Sequence, residues 1–279
     1  MAAVPGDDAA EQRATLASAG YSPVGAGESV RANRSWWDGE SAAYAAEHGT
    51  FLGDDRLVWG PEGTDEDDVH LLGDVEGLTV VEIGCGAGQG ARWACSHGAR
   101  AVGVDLSAGM LAQARALDRR LGTSVPVLQA DAGRLPLADG CADLAFSAYG
   151  ALPFVADAGA VLREVQRVLR PDGRWVFSLT HPVRWAFPDD PGPAGLVADR
   201  SYFDRTPYVE RGADGTVLYA EHHRTLGDWV RCLVTAGFTL LDLVEPEWPE
   251  DNRQVWGGWS PTRGRVLPGT AVFVCRSTA

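Results

Sequence analysis

The 279-residue chain is predicted to be α/β, with a doubly wound, mostly parallel sheet, on three observations. Short apolar runs alternate with stretches of helical length between residues 79 and 179. A glycine-rich turn, Gly84-Cys85-Gly86-Ala87-Gly88, stands directly after the first run, and Asp105 and Asp131 close the second and third. Alternation of this kind places helices on both faces of a parallel sheet, and such sheets collect ligands outside the carboxyl ends of their strands.

Residues 7–18, Ala-rich and polar, read as a weakly amphipathic helix, and the Gly/Pro/Ser stretch 20–27 reads as flexible. This N-terminal segment is expected to dock as a lid or to exchange with a second copy of the chain as a homo-oligomer. Residues 31–60 carry Trp36, Trp37, Tyr44, Phe51 and Trp59, too many aromatics for a linker, so they should pack on or over something. The acidic run 65–68 reads as a solvated helix start. Residues 1–70 are thus expected to form an N-terminal helical, aromatic cap, and residues 71–279 the ligand-binding domain.

Within that domain, strands are predicted over residues 79–83, 100–104, 125–129, 143–146 and 175–179, and helices over 89–97, 108–121 and 158–169. In the last helix Val161, Leu162, Val165, Val168 and Leu169 form one apolar stripe, and Pro171-Asp172-Gly173 supplies the turn that ends it. The rhythm then breaks into a Pro/Gly-rich, aromatic insertion, 181–225, expected to cover the substrate. A helix over 226–236 and strands over 238–244 and 270–275 complete the pattern.

A net charge of −14 and the absence of lysine leave no basic footprint for a phosphate backbone, which argues against nucleic acid and anionic membranes as partners. Five scattered cysteines without CxxC spacing fit reduced thiols, so a cytoplasmic protein without an export signal or membrane span is expected. No Cys/His or HxxxH spacing points to a metal.

The glycine turn by itself is a weak signal, because dinucleotide enzymes use one too. Counted from Gly84, a GxGxxG fingerprint requires glycine at position 89, where Gln89 stands; a frame starting at Gly86 gives GxGxxA and keeps a nicotinamide oxidoreductase open. Asp105, about 20 residues after the turn, stands where a carboxylate commonly accepts ribose hydroxyls. Asp131 lies at the same edge and could accept from an adenine amino group. Each of these carboxylates could instead be a helix cap or loop brace.

Taken together, Val-Val-Glu-Ile-Gly-Cys-Gly-Ala-Gly, Gly-Val-Asp-Leu-Ser, Gln-Ala-Asp-Ala and Leu-Arg-Pro-Asp-Gly-Arg resemble the successive motifs of class I S-adenosylmethionine-dependent methyltransferases, over residues 78–179 and again at the last helix and strands. The resemblance implies a Rossmann-like seven-stranded sheet with the last strand antiparallel. It implies S-adenosylmethionine as cofactor and S-adenosylhomocysteine as product. It further implies Glu82 supporting the loop, with Gly84, Cys85 and Gly86, near the methionine end. Asp105 would then hold the ribose, Leu106 and Ala132 flank the adenine, Asp131 bind its amino group, and Ser147 lie beneath the transferring centre. A protein that binds the cofactor without turnover fits the same motifs.

Trp36, Trp37 and Trp185 lie in segments expected to cover the cofactor, Trp36 against the cofactor itself, and with Tyr44 they would wall in an aromatic or terpenoid acceptor. His181, after the fifth strand in Thr-His-Pro, is the candidate base, with Tyr149, just past Ser147, as a second catalytic candidate. Glu221, His222 and His223 are weaker ones, since adjacent residues on an extended segment face opposite ways. Cys85 belongs to the loop and has no histidine partner in sequence.

Overall fold

The computed structural model describes residues 16–278. A strand, β1 (Leu16–Tyr21), leads into a 27-residue helix, α1 (Ala26–Leu52), and a single helical turn, α2 (Glu66–Val69). Strands and helices then alternate as β2 (Thr79–Ile83), α3 (Gln89–Ser96), β3 (Arg100–Asp105), α4 (Ala108–Leu121), β4 (Val127–Gln129), β5 (Ala142–Ala148), α5 (Ala158–Val168) and β6 (Leu169–Thr180). A hairpin of β7 (Tyr208–Gly212) and β8 (Val217–Glu221) precedes α6 (Leu226–Thr235), β9 (Phe238–Val244), the short α7 (Pro261–Gly264) and β10 (Thr270–Ser277).

Seven strands form one sheet in the order β4-β3-β2-β5-β6-β10-β9, in which β10 runs antiparallel to both neighbours. The predicted architecture is therefore the observed one. The winding reverses between β2 and β5, so the turn after β2 opens at the switch point.

Alternation along the strands explains the two cores. Val81, Ile83, Ala145, Phe177 and Phe273 face α5 and α6, where they meet Val161, Val165, Trp229 and Leu233. Their neighbours Val80, Leu144, Phe146, Val176 and Val272 face α3, with Trp93 and Ala94. Each fully buried Val, Leu or Phe contributes about 1.5–3 kcal/mol, so the stripe on α5 accounts for much of that helix's hold on the sheet. Leu57 and Trp59 belong to the α3 core, which ties the segment after α1 directly to the sheet.

The structure corrects several expectations. Residues 16–18, read as helix, belong to β1, which pairs antiparallel with β7 in a second sheet, β1-β7-β8. Pairing with a partner more than 190 residues away outweighs a weak local helix preference; residues 7–15 of the expected helix lie outside the described residues. Of the aromatic segment, residues 31–52 belong to helix α1, which packs against α4 and β8, while Trp59 lies beyond that helix. Asp65 and Glu66, read as solvated, are buried; Glu66 accepts from Trp59 Nε1 at 2.8 Å and from the Leu72 amide at 2.6 Å. Residues 171–173 form an excursion within β6, since Leu169 pairs with Ala142 and Arg174 with Leu144.

Candidate active site

The glycine turn is built around close backbone approach. Gly84 has φ +70°, and a Cβ there would run into the Ala151 amide nitrogen and lie 2.9 Å from Gly150 atoms. Only glycine fits both constraints. The amides of Gly84 and Cys85 donate to the Val104 carbonyl at 2.8 and 3.1 Å, fixing the turn against β3. Arg92, on α3 and 2% exposed, holds it from behind: its guanidinium reaches the carbonyls of Ala87 (3.2 Å), Ala114 (3.3 Å) and Asp54 (2.6 Å) and the Asp118 carboxylate (3.1 Å). Sequence reading passed over Arg92, because a single helical arginine carries no mark of burial.

Three carboxyl groups border the turn. Glu82 Oε2 accepts from the Ala91 amide at 2.6 Å, and burial pushes its carboxyl up to about 8. Asp105 accepts from the Gly86 amide through one oxygen and the Ser107 amide through the other, both at 2.8 Å; burial raises it against these bonds. It thus braces the loop, and its remaining lone pairs are what it can offer a ribose. Asp131 Oδ1 accepts from the Gly133 amide at 2.8 Å, and Oδ2 carries no hydrogen bond among the described residues. Asp131 lines the cavity wall with Ala130 and Ala132.

A cavity of about 190 Å³ joins these groups to an aromatic wall. Glu82, Gly84, Cys85, Gly86, Asp105, Leu106, Asp131, Ala132 and Tyr149 line it, as do Trp37 and Tyr44. Helix α1 supplies Val30, Asn33, Trp37, Tyr44 and Leu52, whose spacing puts them on one helical face. Asn33 anchors that face: its amide donates to the carbonyls of Phe154 and Ala220 at 2.9 Å each and accepts from the Ala220 amide at 2.9 Å. Asp38 fastens the same helix to α4, accepting from Ser107 Oγ at 2.7 Å and the Gly109 amide at 3.0 Å.

Phe154, Trp256 and Trp259 complete the wall and were not singled out as site residues from sequence. Trp256 stacks on His48 with ring centroids 4.1 Å apart, and Phe154 meets Trp37 edge-on at 5.4 Å. The phrase Trp256-Gly257-Gly258-Trp259 was the available signal.

Four predicted residues lie off the cavity wall. Trp36 is one position from Trp37, so it points about 100° away on the helix and packs on Tyr219 at 4.9 Å. Ser147 is fully buried inside β5, its hydroxyl without a partner among the described residues. Trp185 stacks on His223 at 5.2 Å beneath the second sheet. His181 caps the turn that follows β6: its Nδ1 accepts from the Val183 amide at 3.1 Å, which leaves the proton of the neutral ring on Nε2, 2.7 Å from Glu245. Burial lowers its proton affinity while Glu245 opposes that shift. His222 and His223 do face opposite ways, toward Ser29 and Tyr202.

Tyr149 has φ +53° and lines the cavity, yet its hydroxyl donates to the Gly269 carbonyl at 2.9 Å and lies 3.1 Å from Thr270 Oγ1. Burial pushes this phenol above its ordinary range.

Fold and site together define an α/β nucleoside-binding architecture, with a glycine turn at the switch point and carboxylates closing the next two strands. A methyltransferase-domain family model matches residues 81–177. An S-adenosylmethionine-dependent methyltransferase from Mesorhizobium loti is 32% identical, with a TM-score of 0.61 over 78% of this chain and 100% of that one. Malonyl-[acyl-carrier protein] O-methyltransferase of Pectobacterium atrosepticum is 37% identical over 37% of this chain and 38% of its own length. Demethylmenaquinone methyltransferase of Thermus thermophilus is 42% identical over 39% of this chain and 46% of its own length. The match therefore spans less than half of these curated relatives. The chain belongs to the class I S-adenosylmethionine-dependent methyltransferases, whose cofactor is S-adenosylmethionine, and this assignment displaces the nicotinamide reading of the Gly86 frame. No helix among the described residues is long and apolar enough to cross a membrane.

Proposed function

We propose that the protein transfers the methyl group of S-adenosylmethionine to a small, largely apolar acceptor, an aromatic or terpenoid metabolite. One observation carries this reading: the cavity bordered by the glycine turn is walled on its other side by Trp37, Tyr44, Phe154, Trp256 and Trp259. The residues fit the cofactor, since Gly84 and Gly86 open the backbone, Asp131 keeps an oxygen free for the adenine amine, and Asp105 borders the ribose position. When bound, the cofactor would supply an electrophilic methyl carbon, with its sulfur as the leaving group.

The chain's own residues orient the acceptor and exclude water, which is where most of the rate advantage of such a transfer arises. No histidine among the described residues lines the cavity, and His181 is engaged with Glu245. A proton released by a hydroxyl or amine acceptor therefore has no histidine on the wall to receive it. The curated relatives carry names with acceptors as different as malonyl-[acyl-carrier protein] and demethylmenaquinone, so the acceptor atom follows from this chain's own wall.

Incubation with methyl-labelled cofactor and a metabolite extract is expected to label a small, organic-extractable product. Absence of labelled product with S-adenosylhomocysteine bound tightly would leave a binding module without turnover. Absence of binding would sink the reading altogether. We also propose that the N-terminal segment stabilises the cover or is exchanged between copies, because β1 docks as an edge strand on β7. Deletion of residues 1–21 should lower cofactor affinity or the oligomer mass, and unchanged values of both refute it.

A further inference from the structure

Glu62 is a buried carboxyl group without a cation among the described residues. It is 2% exposed, and its Oε2 lies 2.5 Å from Thr270 Oγ1, while Oε1 has no hydrogen-bond partner among the described residues. Burial of a carboxyl without an ion-pair partner is costly, and such groups are normally paired. Two glycines make room for it. A Cβ on Gly60 would lie 2.8 Å from Glu62 Oε2, and one on Gly269 would run into Oε1.

The seat lies against the cavity. Gly60, Pro61, Tyr149 and Trp259 all line the wall, and Thr270 Oγ1 links the carboxyl to the Tyr149 hydroxyl at 3.1 Å. Glu82 and Asp105 line the same cavity. The only basic side chain on the wall among the described residues, Arg56, is already paired with Asp65 at 2.6 Å. Glu82, Asp105 and Asp131 on the wall outnumber its cations, and Glu62, next to the lining residues Gly60 and Pro61, keeps a buried oxygen without a hydrogen-bond partner among the described residues.

We propose that Glu62 is a specificity-determining residue that supplies the counter-charge for a cationic centre in the cavity. Through it the site favours the sulfonium of the donor over the neutral thioether product. This rests on the methyltransferase reading above. An arriving cation favours the ionised carboxyl, whose charge acts through a dry, low-dielectric wall. Departure of the methyl group removes the positive charge, so the same residue weakens retention of the product relative to the donor.

The test is calorimetric titration of wild type and Glu62→Gln with three ligands: S-adenosylmethionine, the amine analogue sinefungin, and S-adenosylhomocysteine. In Glu62→Gln the preference for the two cationic ligands over S-adenosylhomocysteine should fall about tenfold, with affinity for S-adenosylhomocysteine held within about twofold. An unchanged preference overturns the proposal and leaves the methyltransferase reading intact. Should Glu62→Gln not fold, Glu62→Asp withdraws the carboxyl by one methylene, and its preference should fall about threefold; again, no change overturns the proposal. If none of the three ligands binds wild type, the methyltransferase reading fails and this inference with it.

Discussion

Replacing Gly84 by alanine separates the two reasons a glycine is needed there, because Gly122 shares only one of them. Both have left-handed backbone, φ +70° and +69°, but nothing lies within 4 Å of a Cβ on Gly122, which ends α4 at the surface. Gly122→Ala should therefore cost only the left-handed strain of about 1–2 kcal/mol. Gly84→Ala adds a collision with the backbone of Gly150 and Ala151, which must shift; overpacking of this kind costs a further ~1–3 kcal/mol. At roughly 2 °C per kcal/mol for a chain of this size, the melting temperature should fall about 2–4 °C for Gly122→Ala and about 4–10 °C for Gly84→Ala. Thermal unfolding followed by circular dichroism measures both. Titration with S-adenosylhomocysteine should show at least a roughly tenfold loss for Gly84→Ala and none for Gly122→Ala, since only the first displaces the cavity wall. Equal melting shifts, or undiminished binding by Gly84→Ala, would refute the close-approach argument.

Asp131→Ala should weaken S-adenosylhomocysteine binding about tenfold or more while lowering the melting temperature little, because it loses a charged hydrogen bond to the ligand and one Asx turn. If binding is unchanged, the residue is only a loop brace. Asn33→Ala strips two buried bonds to Ala220 and a half-buried one to Phe154 and should destabilise by about 2–4 kcal/mol in urea unfolding; a loss under ~1 kcal/mol would mean that α1 is held elsewhere. For Glu82 the native carboxyl titrates near 8 against 4.5 when exposed. Between these values the native chain keeps a proton that the unfolded chain has lost, so stability falls with rising pH, by at most about 1.4 kcal/mol per unit. Glu82→Gln should flatten that slope in urea midpoints taken between about pH 5 and 8, and an equally steep variant removes the residue from the account.

The sheet was legible because its signals are local. The run Thr79-Val80-Val81-Glu82-Ile83 and the stripe Val161-Leu162-Val165-Val168 act within a few residues, and helix 108–121 and strand 238–244 were bounded as observed. The glycine-turn side of the cavity was legible for the same reason, since Gly84, Asp105 and Asp131, which all line it, each sit at a strand end that the pattern marks. The acceptor side was not. Its wall joins Trp37 and Tyr44 to Phe154 and Trp256 across more than 200 residues, and no local pattern distinguishes Trp37 from Trp36, which points elsewhere. His181 misled because a strand end normally aims its next residue at the crevice, whereas Pro182 opens a tight turn that the ring itself caps.

That division has a mechanical basis in how the two halves are fastened. The donor half is fixed by backbone bonds between adjacent strands and by Arg92, so side-chain changes around it meet a rigid frame. Each aromatic segment of the acceptor half hangs on an asparagine: Asn33 ties α1 to Phe154 and Ala220, and Asn252 ties the segment bearing Trp256 to the carbonyls of Pro61 and Glu62 at 3.0 and 2.9 Å. Asparagine satisfies backbone donors and acceptors without committing a charge, so it fixes where a segment lies and leaves the rings beyond it free to vary. Exchanging Trp37 or Trp256 for another ring therefore alters the acceptor's space at the cost of a local packing change, while losing either asparagine shifts the whole wall. The Asn252 anchor also fixes the main chain of Glu62 itself, so the position of the acceptor wall and that of the buried carboxyl are set by the same two hydrogen bonds.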